Sequence, residues 1–296
     1  MKQSKFVEHK AFPVFLLVIL TIIWGSSFIL MKKGLVVFDP VQVGTLRMFF
    51  ASLVLIPIVL RHFRAYFLKR WKKFFAVGLI GNFIPAILFA YAETGITSAL
   101  AGILNALTPI FTLIIGAMFF ALRFRKWQTA GLLLGFGGSV ALSFIGQDGG
   151  LGSFNHYAAT VIIATVCYGI NINLLKKWFP ELKSTILTAL TMFSVGPLAV
   201  IYLLSSDVIS TIVNTDGSIL ALFYLFLLGA VGTAFAFVLF NKLIQISTAV
   251  FASTVTYLIP IMAVIWGLLD NETIYPIHFA GMVMIILGVY ITNKNK

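Results

Sequence analysis

Of the chain's 296 residues, 60% are hydrophobic and 10% charged, which leaves almost no surface fit for water and excludes a water-soluble globule. A net charge of +12 would suggest nucleic acid in a soluble protein. Here the basic residues form short clusters between apolar runs, where they act as topology signals and contacts to anionic lipid.

Apolar runs bounded by polar or glycine-rich breaks predict ten membrane helices in chain order, over 13–33, 41–60, 73–92, 97–121, 128–146, 157–176, 185–205, 218–241, 248–269 and 275–292. The opening segment from Lys10 is longer than a signal-peptide core and lacks a small-x-small cleavage site, so it is expected to stay as the first crossing. The stretch Asp148-Gly149-Gly150-Leu151-Gly152-Ser153 is too polar and glycine-rich for a helix, and residues 148–155 are read as a linker between repeats 1–147 and 156–296. With a cytoplasmic N-terminus, 18 of the 21 lysines and arginines fall on the cytoplasmic side, against Lys32 and Lys33 outside and Arg47 within the second helix. Both termini are then cytoplasmic.

The two halves match. At an offset of 151 residues, Thr97-Ser98-Ala99 through Pro109-Ile110 recurs as Thr248-Ala249-Val250 through Pro260-Ile261, and Gly78, Gly81 and Phe89 answer to Gly229, Gly232 and Phe240. At an offset of 144, Gly25 and Lys32-Lys33 answer to Gly169 and Lys176-Lys177. Five crossings per repeat is odd, so the copies enter from opposite sides. The expected fold is all-α and polytopic, ten helices in two inverted five-helix repeats, an arrangement typical of secondary transporters with a site between the halves.

The run Trp24-Gly25-Ser26-Ser27-Phe28, Arg47, the Thr97-to-Pro109 run and the pattern Asn271-Glu272 to Gly281 and Gly288 together resemble the EamA-type branch of the drug/metabolite transporter superfamily. The resemblance covers nearly the whole chain. It implies a central cavity lined mainly by the first, third, fourth, sixth, eighth and ninth helices, and transport of small metabolites. One departure stands out: Glu272 in the second half is matched by Leu122 in the first. Glu272 is therefore read as a loop or helix-cap residue.

The site candidates come from the matched halves. Pro109 and Pro260 lie mid-helix, where proline lacks an N–H and collides with the carbonyl four residues back, that of Asn105 and Thr256 respectively. Such helix breaks are tolerated where protein or a wet cavity satisfies the freed carbonyl. Asn105 and Thr256 then line a midplane site, the alternative being packing kinks with both side chains bonded to a neighbouring helix. The cluster Trp24 and Ser27 matches Tyr168 and Asn171, offering an aromatic wall and hydrogen bonds; the alternative is close packing at Gly25 and Gly169 with the serines bonded locally. Asn82 matches Thr233, and Tyr257 is a further candidate, against membership of the interfacial aromatic belt.

Two ionisable residues fall in or beside predicted spans. Arg47 either snorkels to the outer surface or serves as a structural partner or anion contact, and Glu93 is either a coupling proton site or an interfacial carboxylate. Gly131-Leu132-Leu133-Leu134-Gly135 is a small-residue packing face, for a homodimer or within the chain. A single cysteine, Cys167, excludes an intramolecular disulfide, and no metal or cofactor motif and no phosphate loop occurs. None of the four histidines lies mid-span and no two carboxylates share a membrane helix, which ranks an intramembrane enzyme low. The reading is a multi-pass carrier of the bacterial plasma membrane, a monomer or weak homodimer, moving amino acids, related metabolites or small toxic compounds by alternating access. A passive channel and a scaffold subunit are the alternatives.

Overall fold

The computed structural model describes residues 11–120, 126–143, 155–247, 251–252 and 255–293, and among these no strand occurs. The helices are α1 (Ala11–Leu35), α2 (Pro40–His62), α3 (Leu68–Gly78), α4 (Ile84–Ala92), α5 (Ser98–Asn105), α6 (Thr108–Phe119) and α7 (Lys126–Ser143). They continue with α8 (His156–Trp178), α9 (Ser184–Ser205), α10 (Val208–Asn214), α11 (Ser218–Gly229), α12 (Ala236–Ile246), α13 (Val255–Leu269) and α14 (Pro276–Asn293). Three π-helical turns sit between them, at Phe63–Phe67, Leu79–Phe83 and Ala230–Phe235.

Local chemistry starts several of these helices. Asp39 accepts from the Val41 and Gln42 N–H groups while Gln42 reaches back to the Asp39 N–H, a capping box, and Pro40 takes the first helical position of α2. Thr97 caps α5 by accepting from the Leu100 N–H, and Asn155 caps α8 through the Tyr157 N–H.

Among the described residues six helical runs are long and apolar enough to cross a membrane: Phe12–Leu35, Pro40–Ala92, Ser98–Phe119, His156–Trp178, Ser184–Ser205 and Ser218–Ile246, with Val255–Leu269 and Pro276–Gly288 shorter. The 53-residue run Pro40–Ala92 would reach roughly 80 Å if straight, more than twice the hydrocarbon thickness. It is not straight: the backbone leaves helical values at His62 (φ −120°) and Arg70 (φ −135°), and α4 packs back against α2. The basic stretch 61–72, expected as a loop, is therefore mostly helical, because only two residues need distort for the chain to turn. Large apolar side chains such as Phe15, Leu60, Ile201, Leu204 and Phe223 point outward from the bundle, the surface that lipid covers.

Packing follows the sequence match. α1 lies on α13 and α12 as α8 lies on α6 and α4, α2 pairs with α9, and α7 pairs with α14. In the last pair a Cβ on Gly288 would come within 2.4 Å of the Gly135 nitrogen and 2.6 Å of the Gly131 carbonyl oxygen, so the small-residue face of α7 is used inside the chain. Buried apolar residues form two clusters, one around Phe28, Phe89 and Leu104, the other around Leu20, Phe74 and Phe240, and Trp24 packs against both.

Candidate functional site

A cavity lies where these two clusters meet. Six of the expected residues line it: Trp24, Ser27, Asn105, Tyr168, Asn171 and Thr256. Phe28, Met31, Phe89, Ile172, Phe237 and Phe240 supply apolar wall, and Thr108 and Arg47 add polar groups.

The π-helical turns explain how this wall is built. Leu79–Phe83 and Ala230–Phe235 begin 151 residues apart and hold the matched pairs Gly81/Gly232 and Asn82/Thr233. A π-turn shifts the backbone hydrogen-bond register and leaves carbonyls free for other partners. The Gly232 carbonyl accepts from Trp24 Nε1 at 3.0 Å, which fixes the indole plane against Phe237 and Phe240 at centroid distances of 5.5 and 4.9 Å. A Cβ on Gly232 would lie 2.9 Å from Ser27 Oγ, and one on Gly81 would lie 2.0 Å from the Asn171 side chain. Glycine at each turn thus admits the polar residue of the facing helix. Across the cavity Phe89 packs on Phe28 and stacks on Tyr168, with centroids 5.8 and 5.9 Å away.

The two prolines behave differently. At Pro109 the run divides: the Ala106 and Leu107 N–H groups bond three residues back, and α6 begins at Thr108. The freed Asn105 carbonyl accepts from the Thr108 hydroxyl at 2.9 Å, and the same hydroxyl reaches the Asn105 side-chain oxygen at 3.3 Å, so the partner is local while the Asn105 side chain lines the cavity. Pro260 interrupts nothing in the described helix, since α13 runs through it from Val255 to Leu269. Both prolines were expected to break their helices, and only the first does. A missing N–H removes one bond, and the rest of the α13 ladder carries the helix on.

Three expected residues lie off the cavity wall. Thr233 is fully buried, donates to the Leu228 carbonyl at 2.9 Å and accepts from Arg47 Nε at 2.7 Å, so it positions the arginine. Asn82 is buried with its Oδ1 lacking a partner. Tyr257 packs beside the Phe28 cluster. Of the local alternatives, Ser26 and Ser27 do bond within α1, to the Ile22 and Ile23 carbonyls, and Ser26 also accepts from Trp266 Nε1 at 2.8 Å. Glu93 caps α4 one residue beyond its apolar run, outside the cavity wall. Both its carboxylate oxygens are buried without a hydrogen-bond partner, and that burial pushes the carboxyl well above its ordinary range.

Phe89 and Phe240 were not singled out as site residues, and Arg47 was weighed as a structural partner or anion contact against snorkelling. The signal for the two phenylalanines was present in their match at offset 151. For Arg47 the family resemblance was the signal, while the choice between snorkelling outward and facing inward depends on the partner Thr233, 186 residues away.

Next in the chain to Met31 of the cavity wall, Lys32 pairs with Asp270 at 2.7 Å and Glu272 at 2.8 Å, and Lys33 pairs with Asp270 at 2.5 Å. Glu272 also accepts from Ser98 Oγ at 2.7 Å and from the Ser98 and Ala99 N–H groups at 3.2 Å. This carboxylate therefore caps the N-terminus of α5 from the other half of the chain, which bears out its reading as a cap residue.

The EamA-like transporter family matches residues 11–144 and again 157–294. An uncharacterized transporter of Archaeoglobus fulgidus is 26% identical over 92% of this chain and 95% of its own length. The uncharacterized inner membrane transporter YedA of Escherichia coli K12 is 25% identical over 94% of this chain and 89% of its own. A protein of Salmonella typhimurium named as a probable amino-acid metabolite efflux pump is 25% identical, covering 94% and 93% of the two chains. A solved crystal structure shares the fold with a TM-score of 0.67 at 16% identity, over 97% of this chain and 98% of that one.

Proposed function

The chain belongs to the EamA-like transporter family of the drug/metabolite transporter superfamily, and from that premise we propose that it carries small metabolites across a bacterial plasma membrane by alternating access. The observation that carries this reading is the cavity itself. It is mostly aromatic, holds a few convergent polar groups, and draws its wall from both halves of the chain. Its site residues are Trp24, Ser27, Asn105, Tyr168, Asn171 and Thr256. Amino acids and related compounds suit such a mixed wall, and the Salmonella relative's name points the same way.

The matched packing of α1 on α13 and α8 on α6, with α2 against α9 and α7 against α14, supports ten crossings in two inverted repeats, 1–147 and 156–296 joined by 148–155, rocking about the cavity. The distribution of basic residues supports cytoplasmic termini. In a Cys167→Ser background, cysteines at Lys69 and Asp216 should react with an impermeant thiol reagent from opposite faces, the first only from the cytoplasm. Labelling of both from one face would sink the topology.

Reconstitution in liposomes tests the function. Purified protein should give saturable counterflow of amino acids without a pH gradient. Conductance that never saturates would instead identify a channel, and absence of any flux would leave a scaffold. Glu93→Gln should retain counterflow; if an imposed pH gradient drives accumulation that this variant alone loses, Glu93 is a coupling residue.

A further inference from the structure

The cavity wall holds a buried cation that makes no ion pair among the described residues. Arg47 is 7% exposed, and its Nε is held by Thr233, yet among the described residues its two terminal nitrogens have no hydrogen-bond partner and no carboxylate within ion-pair distance. Among the described residues no acidic side chain lines the cavity. The acid whose charge bears on Arg47 is Glu93, which sits off the wall with both oxygens buried. At the offset of 144 that aligns α1 with α8 and the start of α2 with that of α9, Arg47 answers to Thr191, so the second half adds no cation here.

We propose that this site selects solutes by a single carboxylate, bound by the terminal nitrogens of Arg47 together with the Tyr168 hydroxyl, while an apolar body rests on Phe28, Phe89 and Phe240. The inference rests on the carrier reading above for its setting. A desolvated guanidinium fixed at Nε presents two N–H donors in the geometry that a carboxylate accepts. Its position in the cavity wall means that an entering anion recovers the charge pairing the protein leaves unmade. A monoanion neutralises the site, whereas a phosphate dianion would leave one negative charge in a low-dielectric space. Tyr168 has no hydrogen bond among the described residues and stacks on Phe89 at the same wall. No carboxylate is available for a solute ammonium, so an α-amino group is tolerated and not required.

Equilibrium binding to the purified full chain, read by thermal shift and competition, distinguishes these chemistries with three probes: L-phenylalanine, L-phenylalaninamide and 3-phenylpropionate. The two acids should bind within about tenfold of each other and the amide about a hundredfold more weakly, the range expected when a buried charge loses its partner. Arg47→Gln should erase the preference for acid over amide, and Arg47→Lys should restore part of it. Equal binding of acid and amide to the unaltered protein, or no binding of any probe, overturns the proposal. So does an acid preference that survives Arg47→Gln. Should Arg47→Gln fail to fold, Arg47→Lys and the acid-to-amide ratio of the unaltered chain still decide. Counterflow of the bound acid is measured separately: acid-selective binding without flux defeats the carrier reading alone, and flux indifferent to the carboxylate defeats this inference alone.

Discussion

Lys32 and Lys176 occupy matching places 144 residues apart, and their surroundings are opposite in kind. Lys32 and Lys33 face carboxylates, Asp270 and Glu272. Lys176 instead donates to the Ile244 and Ser247 carbonyls at 3.3 and 2.5 Å, Lys177 lies over the Phe120 ring at 5.2 Å, and Lys73 lies over Trp178 at 5.7 Å. The repeat places a lysine at the same point in each half, and residues outside the repeat decide what it meets. One end of the bundle is thereby tied by buried charges that respond to acid, while at the other these lysines meet carbonyls and ring faces that do not.

The strongest test of this contrast removes Glu272. Its side chain is 3% exposed and satisfies Lys32, the Ser98 hydroxyl and two backbone N–H groups at once. Glu272→Leu should lower stability by about 2–4 kcal/mol, the scale for breaking a buried pair, discounted because Lys32 is partly exposed. Lys176→Met should cost about 1 kcal/mol, since its carbonyl partners keep access to water or other donors. Thermal unfolding of the two variants in detergent checks the ratio, and equal losses would remove the distinction between the ends.

Acid should separate the ends next. Hydrogen bonds from Lys32 and Lys33 hold Asp270 below its ordinary 3.8. For Glu272 burial alone would raise the carboxyl, but the hydrogen bonds from Lys32, Ser98 and the Ala99 N–H outweigh it and bring it below 4.5. Both folded-state values are depressed, so the stabilisation is complete above the unfolded values and is lost as pH falls through the folded ones. Stability measured from pH 6 downward should therefore decline below about 4, and the decline should flatten in an Asp270→Asn, Glu272→Gln double variant. An unchanged pH profile in that variant would assign acid sensitivity elsewhere.

The cavity between the ends is more even-handed. Asn105→Leu and Thr256→Val each remove a polar group from the wall, one from each half, and each should weaken solute binding by about 1 kcal/mol with folding preserved. Asn82→Leu, off the wall, should leave binding alone. A loss confined to one half would mean that only that half holds the solute.

How far these features were legible in the sequence depends on how far apart their causes lie. Helix limits and the break at Pro109 follow from neighbours within a few residues, and the sequence intervals fall on helices accordingly. The matched Gly81 and Gly232 marked the two turns, but not that they are π-turns, because an extra residue per turn leaves no composition signal. Continuity of α13 through Pro260 was not foreseen, nor was the helical stretch 61–72. Both reflect packing that overrides local breakers. The inward aim of Arg47 and the reach of Glu272 to Ser98 depend on contacts 186 and 174 residues apart, which no local pattern encodes. Leu122, the counterpart of Glu272 in the first half, lies outside the described residues.

The smallest expected effect isolates burial from charge. The Lys176 end does contain an ion pair, Arg70 with Glu181, but its side chains are 41% and 51% exposed. Water already solvates both partners, so their attraction replaces hydration of similar strength and is further screened by salt. Glu181→Gln should therefore change stability by no more than about 0.5 kcal/mol, and by less still at high ionic strength. Thermal unfolding at low and high salt measures this beside Glu272→Leu. A small loss for Glu181 and a large one for Glu272 would show that burial of the carboxylate, and not the mere presence of an ion pair, makes the two ends unequal. Similar losses would mean that the end bearing Arg70 is locked by charge as well, and because the Arg70 hydrogen bond lowers the Glu181 carboxyl too, the contrast in response to acid would fall with it.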